Sequence, residues 1–322
     1  MRIFVAESLG NHTEIELISG RVGLFQEAID QKLFKEAKTL EQCDSILVPH
    51  DAFHFNQYPD YLKYLNQLSE KKPIILSDRG DFPKKPKVSN SIALRVAINP
   101  GESTKNKIVV PYNVESLNYL PLRKYSPIPV VSFVGFMPRI SPRRVIKTAR
   151  QSPLHPIQGN GAIIRRLSHK ALVKSGLDYR FTLRSSYGAI ETSSTHDTRA
   201  EYLERMSESD YVASPRGDAN QSARFYETLS AGRIPLVLDS SMCGVNSLTE
   251  NNKNICLGLI VPTLNSSIHQ NVMKNWMLMS SSESYSKKQL EIREYFDKNL
   301  RFPSFMKRMF DMNFSDFILC AK

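Results

Sequence analysis

Arg216 and Arg224 bracket a short polar loop in YVASPRGDANQSARFYETLSAGRIPLVLD (Tyr211–Asp239), and Glu227 stands three positions after the second arginine. Two guanidinium forks held eight positions apart suit a diphosphate, because each fork can bind anionic oxygens in pairs. A carboxylate three residues on shares a helix face with Arg224 and can accept hydrogen bonds from ribose hydroxyls. The plain alternative is an exposed Arg–Glu pair on an ordinary amphipathic helix. The loop and the apolar runs on either side of it argue against that alternative.

Those apolar runs are the elements that must position the arginines. Tyr211–Ala213 reads as a strand, Pro215 and Gly217 shape a loop, and Ala223–Ala231 reads as a helix. Ser222 is the expected N-cap, its hydroxyl bonding the free amides of the first turn. Gly232 is a C-cap signal, and Ile234–Leu238 is the next strand. Ligands of open α/β sheets bind beyond the carboxyl ends of the strands, where a helix start offers unpaired amides to an anion.

The rest of the chain repeats this alternation. Ile3–Ala6, Ser45–Pro49, PIILS, SIALRVAI and KIVVPY read as strands, and YPDYLKYLNQLSEKK as a helix with Tyr61, Leu62, Leu65 and Leu68 in one stripe and Pro59 near its start. The proline-rich stretch before residue 125 lacks periodicity and marks a domain boundary. IPVVSFVGF then restarts the pattern as a strand ending at Gly135, followed by a basic loop and helix with Arg139, Arg143 and Arg144. GAIIRRLSHKALVKSG is a helix with Ile163, Ile164, Leu167, Ala171 and Leu172 on one face, stopped by Gly176. YRFTL and DYVAS are strands around a helix in DTRAEYLERM, and the tail is two helical segments divided by Pro303. The expected domains are 1–125, 126–285 and a set of C-terminal helices, 286–322, packing back across them.

At 322 residues, 41% of them hydrophobic, the chain can bury its own cores without staples. Its four cysteines form no CxxC pair and fit no zinc spacing, so reduced, mostly buried thiols are expected. The N-terminus lacks the apolar core of a signal peptide, and no apolar run approaches the roughly 20 residues of a membrane span. A cytoplasmic protein is expected. The formal charge of +11 attracts nucleic acids, anionic membranes or acidic small molecules. The basic runs lack the aromatic interleaving of a single-strand platform, and no homeodomain, zinc-finger or RNP-type signature is present, so nucleic acid is not the expected partner.

The opening stretch resembles the nucleotide-sugar signature of the exostosin family of glycosyltransferases (GT47-like). The matching residues are Pro215-Arg216-Gly217-Asp218, Ser222, Arg224-Phe225-Tyr226-Glu227 and Ala231-Gly232-x-Ile234-Pro235-Leu236-Val237-Leu238. VVSFVGF is similar to the strand and glycine turn that open the family's C-terminal half. DSILVPHDAF, PIILSDRGD and KIVVPY follow the order of its N-terminal landmarks, so the likeness spans residues 40–240. The resemblance implies a GT-B fold: two doubly wound Rossmann-like domains facing a cleft, with C-terminal helices. It implies inverting transfer from a nucleotide-diphosphate sugar, a UDP-sugar first, to a hydroxyl of a glycan or lipid-linked glycan, in surface polysaccharide synthesis. By position, Arg216 and Arg224 hold the diphosphate within the motif that includes Gly217 and Ser222, and Glu227 holds the ribose. Gly135 lets the backbone approach the donor, with Arg139 as a further phosphate contact. No cofactor is implied, the nucleotide sugar being a co-substrate. The sequence departs from the family at Ala219-Asn220-Gln221, where bulkier residues are usual, and at Ala213-Ser214, where a cysteine is common. It also lacks the membrane anchor and stem of animal and plant members, which fits a bacterial-type, cytoplasmic enzyme, one that the basic surface would hold at the inner face of a membrane.

An inverting transfer needs a base for the acceptor hydroxyl. Asp78, where the family has an acidic landmark, is the first candidate and His54 the second; His50, Asp51 and Asp81 also follow strand ends. No carboxylate pair stands out as a metal site, and fixed arginines can neutralise the leaving diphosphate, so metal-independent activity is expected. The alternative function is a basic nucleic-acid-binding or scaffold protein, which would bind DNA or RNA with a steep salt dependence. A dehydrogenase is disfavoured because no GxGxxG follows the first strand.

Overall fold

The computed structural model describes residues 1–7, 26–51, 58–78, 88–98, 105–137, 160–184, 195–217, 220–238, 258–261, 267–279 and 281–311, with positions 140, 142, 145 and 146. The chain forms two compact units. One holds Met1–Ile98, the stretch from Glu102 to Pro111 and the chain from Phe302 onward; the other holds Tyr112–Arg301.

The first unit is a six-stranded, all-parallel sheet in the order β2-β1-β3-β4-β5-β6. Its strands are β1 (Arg2–Val5), β2 (Lys35–Glu36), β3 (Ser45–Asp51), β4 (Ile74–Asp78), β5 (Ser91–Arg95) and β6 (Lys107–Val109). The helices α1 (Gln26–Asp30) and α2 (Pro59–Lys71) belong to it. Pro59 opens α2, where its missing N–H has no intrahelical partner to lose. The expected stripe packs as Tyr61, Leu65 and Leu68 against Ile46, Val48, Ile74 and Leu76, with Leu62 partly buried beside them.

The second unit is a five-stranded, all-parallel sheet in the order β11-β10-β9-β7-β8. These are β7 (Val130–Phe136), β8 (Asp178–Arg184), β9 (Tyr211–Ala213), β10 (Ile234–Leu238) and β11 (Leu259–Val261). Around it lie α3 (Gly161–Lys174), α4 (Thr195–Ser207), α5 (Ala223–Ser230), α6 (Ile268–Met277) and α7 (Ser282–Tyr295), the last running into a π-helical turn, Phe296–Leu300. Every residue of β10 is buried, which is why it reads as an unbroken apolar run: parallel sheets are covered on both faces. Phe225 and Leu229 of α5, Trp276 of α6 and Ile292 of α7 share one core with β7, β9 and β10. Both units are Rossmann-like, with parallel strands joined by crossovers.

Four details differ from the sequence reading. The change of unit comes at the start of the proline-rich stretch, between Pro111 and Tyr112, rather than near residue 125: residues 112–125 pack on the second unit, with Leu117 and Leu120 in a cluster with Val212 and Ala231. The buried face of α3 is Gly161, Ala162, Ile164, Ser168 and Leu172, while Ile163, Leu167 and Ala171 are only partly buried. Pro303 does not divide the tail. It is the second residue of α8 (Phe302–Asp311), where proline is tolerated, and the chain turns instead at Arg301. α8 belongs to the first unit, with Phe310 packed edge-on to Phe34 at 5.1 Å.

Candidate active site

The second sheet has a topological switch point between β7 and β9. Counted from β7, its order is 2-1-3-4-5, and neighbouring connections leave to opposite sides there, which opens a crevice beyond the strand ends. The motif residues gather at this place. Gly135 and Phe136 end β7, Arg216 lies three residues past β9, and Arg224 is in the first turn of α5.

Arg224 is folded down onto β7. Its Nη2 donates to the Val134 carbonyl at 2.5 Å, and its guanidinium lies 4.7 Å from the Phe133 ring centre and 5.8 Å from that of Tyr202. Gly135 makes this possible: a Cβ there would sit 2.7 Å from Arg224 Nη2 and 3.2 Å from the Phe133 ring. The space expected for a ligand against Gly135 is thus occupied by the arginine. Burial holds the Arg224 guanidinium below its usual pKa; the Tyr202 hydroxyl opposes this, and the nearby charge of Arg165 adds to it.

Arg165 was not singled out from the sequence. It sits one turn into α3, and its Nη1 donates to the Phe136 carbonyl at 3.1 Å while its Nε donates to the Arg216 carbonyl at 3.3 Å. It thereby ties the end of β7 to the Pro-Arg-Gly loop. A Cβ at Gly217 would lie 3.2 Å from its Nη2, so that glycine too makes room for an arginine. The only signal in the sequence was the IIRR step, read there for its apolar face. Arg216 is fully buried, with its Nε bonded to the Gly217 carbonyl at 3.3 Å. Arg165 and Arg224 are thus near enough for their charges to interact, and Arg165 also holds the backbone of Arg216.

The start of α5 adds to this charge. Ser222 takes the extended backbone of an N-cap, but its hydroxyl makes no capping bond, contrary to expectation. The start of α3 is closed by contrast, Asn160 Oδ1 accepting from the amides of Ala162 and Ile163 at 3.1 and 3.2 Å. An uncapped start keeps its partial positive charge available.

Glu227 is held by the protein on both oxygens. Arg199 Nη1 donates to Oε1 at 2.7 Å and the Tyr202 hydroxyl to Oε2 at 2.8 Å; Arg199 also reaches Glu115 at 3.3 Å. Burial and the adjacent Glu227 charge keep Tyr202 protonated, its pKa well above the ordinary phenol value. Each carboxylate oxygen retains a lone pair for a further donor.

In the first unit, Asp78 ends β4 beside its register partner Arg95 on β5. Both are buried, and Arg95 Nε lies 3.3 Å from Asp78 Oδ2. His54, Asp81, Arg139, Arg143 and Arg144 lie outside the described residues, as do the side chains of His50 and Asp51. Cys43 is a buried free thiol; the other cysteines are outside the description. Among the described residues, no cluster of His, Cys, Asp or Glu could hold a metal ion, and no helix is long and apolar enough to cross a membrane.

Residues 164–295 match the family described as RXYLT1 C-terminal domain, a span that contains Arg165 and the whole motif. No curated protein matches the chain. Among solved structures, a glycosyltransferase from Rickettsia africae ESF-5 is 11% identical with a TM-score of 0.44, covering 100% of this chain and 99% of its own. Anabaena Alr3699/HepE in complex with UDP-glucose is 13% identical with a TM-score of 0.41, covering 95% of this chain and 98% of its own. The two parallel sheets themselves define the fold.

Proposed function

We propose that the protein is an inverting glycosyltransferase of the GT-B type that takes its sugar from a nucleotide diphosphate. The observation that carries this reading is the placement of Arg165 and Arg224, and of the Arg216 loop that Arg165 holds, beside the uncapped start of α5 at the switch point of the second sheet. Arg165 and Arg224, two cations that repel one another beside an uncapped helix start, suit a multiply charged anion. A diphosphate supplies that anion, and Glu227 has acceptor capacity left for the ribose.

In the reaction the acceptor oxygen bonds to the anomeric carbon as the bond to the diphosphate oxygen breaks. The electron pair leaves with the diphosphate, where the arginines stabilise the new charge without reorganising. The acceptor proton passes to a base at a strand end of the first unit. Asp78, which ends β4 beside Arg95, is the first candidate, and His54 is the other. The donor is a UDP-sugar and the acceptor a glycan or lipid-linked glycan used in surface polysaccharide. The basic surface suits the anionic inner face of a membrane, where such acceptors reside; failure to co-sediment with anionic liposomes at low salt would remove that location.

A thermal-shift screen against UDP, GDP, CMP and dTDP sugars tests the reading, because a bound donor stabilises the fold by mass action. Saturable stabilisation by one nucleotide class is expected. Transfer should survive excess EDTA; loss reversed by manganese would contradict the metal-independent mechanism. Asp78→Asn and His54→Ala, assayed for transfer with donor affinity as the control, separate the two bases.

A further inference from the structure

The two sheets end in four edges, and three of them are short. Among the described residues β2 has two residues, and β6 and β11 have three each. β8 has seven and, among the described residues, pairs along its whole length with β7 on one side only. Long, accessible edges are templates for further pairing, and proteins usually shorten or cover them. β8 is also the strand with exposed apolar side chains: Phe181 is 45% exposed and Leu183 41%, and Val173 on the preceding helix is 54% exposed. Phe181 and Leu183 share a face with Tyr179, and the rings of Tyr179, Phe181 and His169 are in mutual contact at 4.6–5.8 Å.

We propose that β8 pairs with β8 of a second copy of this chain, antiparallel about Phe181, to join two five-stranded sheets into one of ten. The argument is self-complementarity. With Phe181 opposite Phe181 of the second copy, Tyr179 faces Leu183 and Arg180 faces Thr182, each on a common side of the sheet. Asp178 then faces Arg184 of the second copy, at both ends of the ribbon. Arg184 already binds Glu201 at 2.9 Å, and Asp178 binds Arg180 at 3.1 Å, so the exchanged pairs extend charge networks that each copy has already built. The apolar face is closed by Tyr179, Phe181 and Leu183 from both copies. A register shifted by one residue would set the apolar row of one copy on the charged side of the other, so one alignment is selected.

Sedimentation and light scattering of the full chain test this. The wild-type protein should show twice 36.7 kDa at micromolar concentrations. Asp178→Arg and Arg184→Asp should each give a monomer, because each sets like charges opposite one another across the two-fold axis. Mixing those two monomeric variants should restore a dimer, since each then supplies the charge the other needs, and that recovery excludes misfolding as the cause. Phe181→Lys should also be monomeric. A wild-type monomer, or a dimer that these substitutions leave intact, would overturn the proposal.

Discussion

The second sheet carries arginines at both of its ends, and the two groups are used in opposite ways. At the end where β10 begins, all five N–H groups of Arg233 find acceptors: Met206, Ala231, Pro121 and Ser207 carbonyls and the Gln289 side chain, at 2.7–3.4 Å. Arg293 donates to the carbonyls of Asn118, Leu120 and Ala231, and Arg123 grips the buried Asp210. These bonds staple the segment 112–125 and α7 to the sheet. At the switch-point end, Arg224 gives Nη2 to one carbonyl and interacts with the Tyr202 hydroxyl and the Glu227 carboxylate, while its Nε has no hydrogen-bond partner and a second cation, Arg165, lies near. Burial lowers the pKa of both Arg224 and Arg233, the latter to about 10, yet only Arg233 is saturated by the protein. Arg233 and Arg293 spend their donors on backbone carbonyls and lock the fold, whereas Arg224 gives one carbonyl bond at the strand ends where an anion can join it.

That contrast can be broken from either side. The largest effect is expected for Arg233→Ala, which leaves several buried carbonyls without donors. At about 1–3 kcal/mol for each unsatisfied group, it should cost on the order of 4 kcal/mol, read from the urea midpoint, without changing nucleotide affinity of the folded fraction. Gly232→Ala comes next. At a φ of +70°, its new Cβ would lie 2.8 Å from the Gln289 carbonyl, for a loss of about 2 kcal/mol in the same assay.

Arg224→Ala should do the reverse. Losing one charge-assisted contact worth about 1.5–3 kcal/mol weakens nucleotide-diphosphate binding roughly ten- to hundredfold by calorimetry. Stability should fall less than for Arg233→Ala, because Arg224 gives up one carbonyl bond where Arg233 gives up four and a side-chain bond. Gly135→Ala should displace Arg224 and give a smaller loss, about tenfold or less, by the same measurement. The smallest effect lies away from both groups. Burial lowers the pKa of His169, so the fold favours its neutral form. Stability from this group is present above the ordinary histidine value of about 6.5 and declines as pH falls toward the lowered folded value. His169→Gln should flatten that slope in melting curves taken from neutral to mildly acid pH.

Much of the frame was legible in the sequence, because parallel strands buried on both faces print as apolar runs. β3, β4, β7, β9 and β10 stand where those runs are, and Gly176 and Gly232 mark their helix ends with positive φ. Strands of two or three residues, β2 and β11, leave no period to read. α6 carries a signal of its own, Ile268, Val272 and Trp276 four apart on its buried face. The stretch 112–125 looked like a linker because its meaning lies in partners more than a hundred residues away, Arg233, Gln289 and Arg293. The motif arginines were legible by type and spacing. The roles of Gly135 and Gly217 as room for arginines, and the presence of Arg165 among them, depend on the crossing of α3 over the strand ends, which no local pattern encodes.

The central claim is that the switch-point arginines form a diphosphate site. Calorimetric titration of UDP into the wild-type protein and into Arg216→Ala, Arg224→Ala and Arg165→Ala variants tests it most directly. The account predicts saturable one-to-one binding that each substitution weakens at least tenfold while the folded state is retained. Binding of equal strength in all four proteins, or no binding of any nucleotide diphosphate to the wild type, would contradict it.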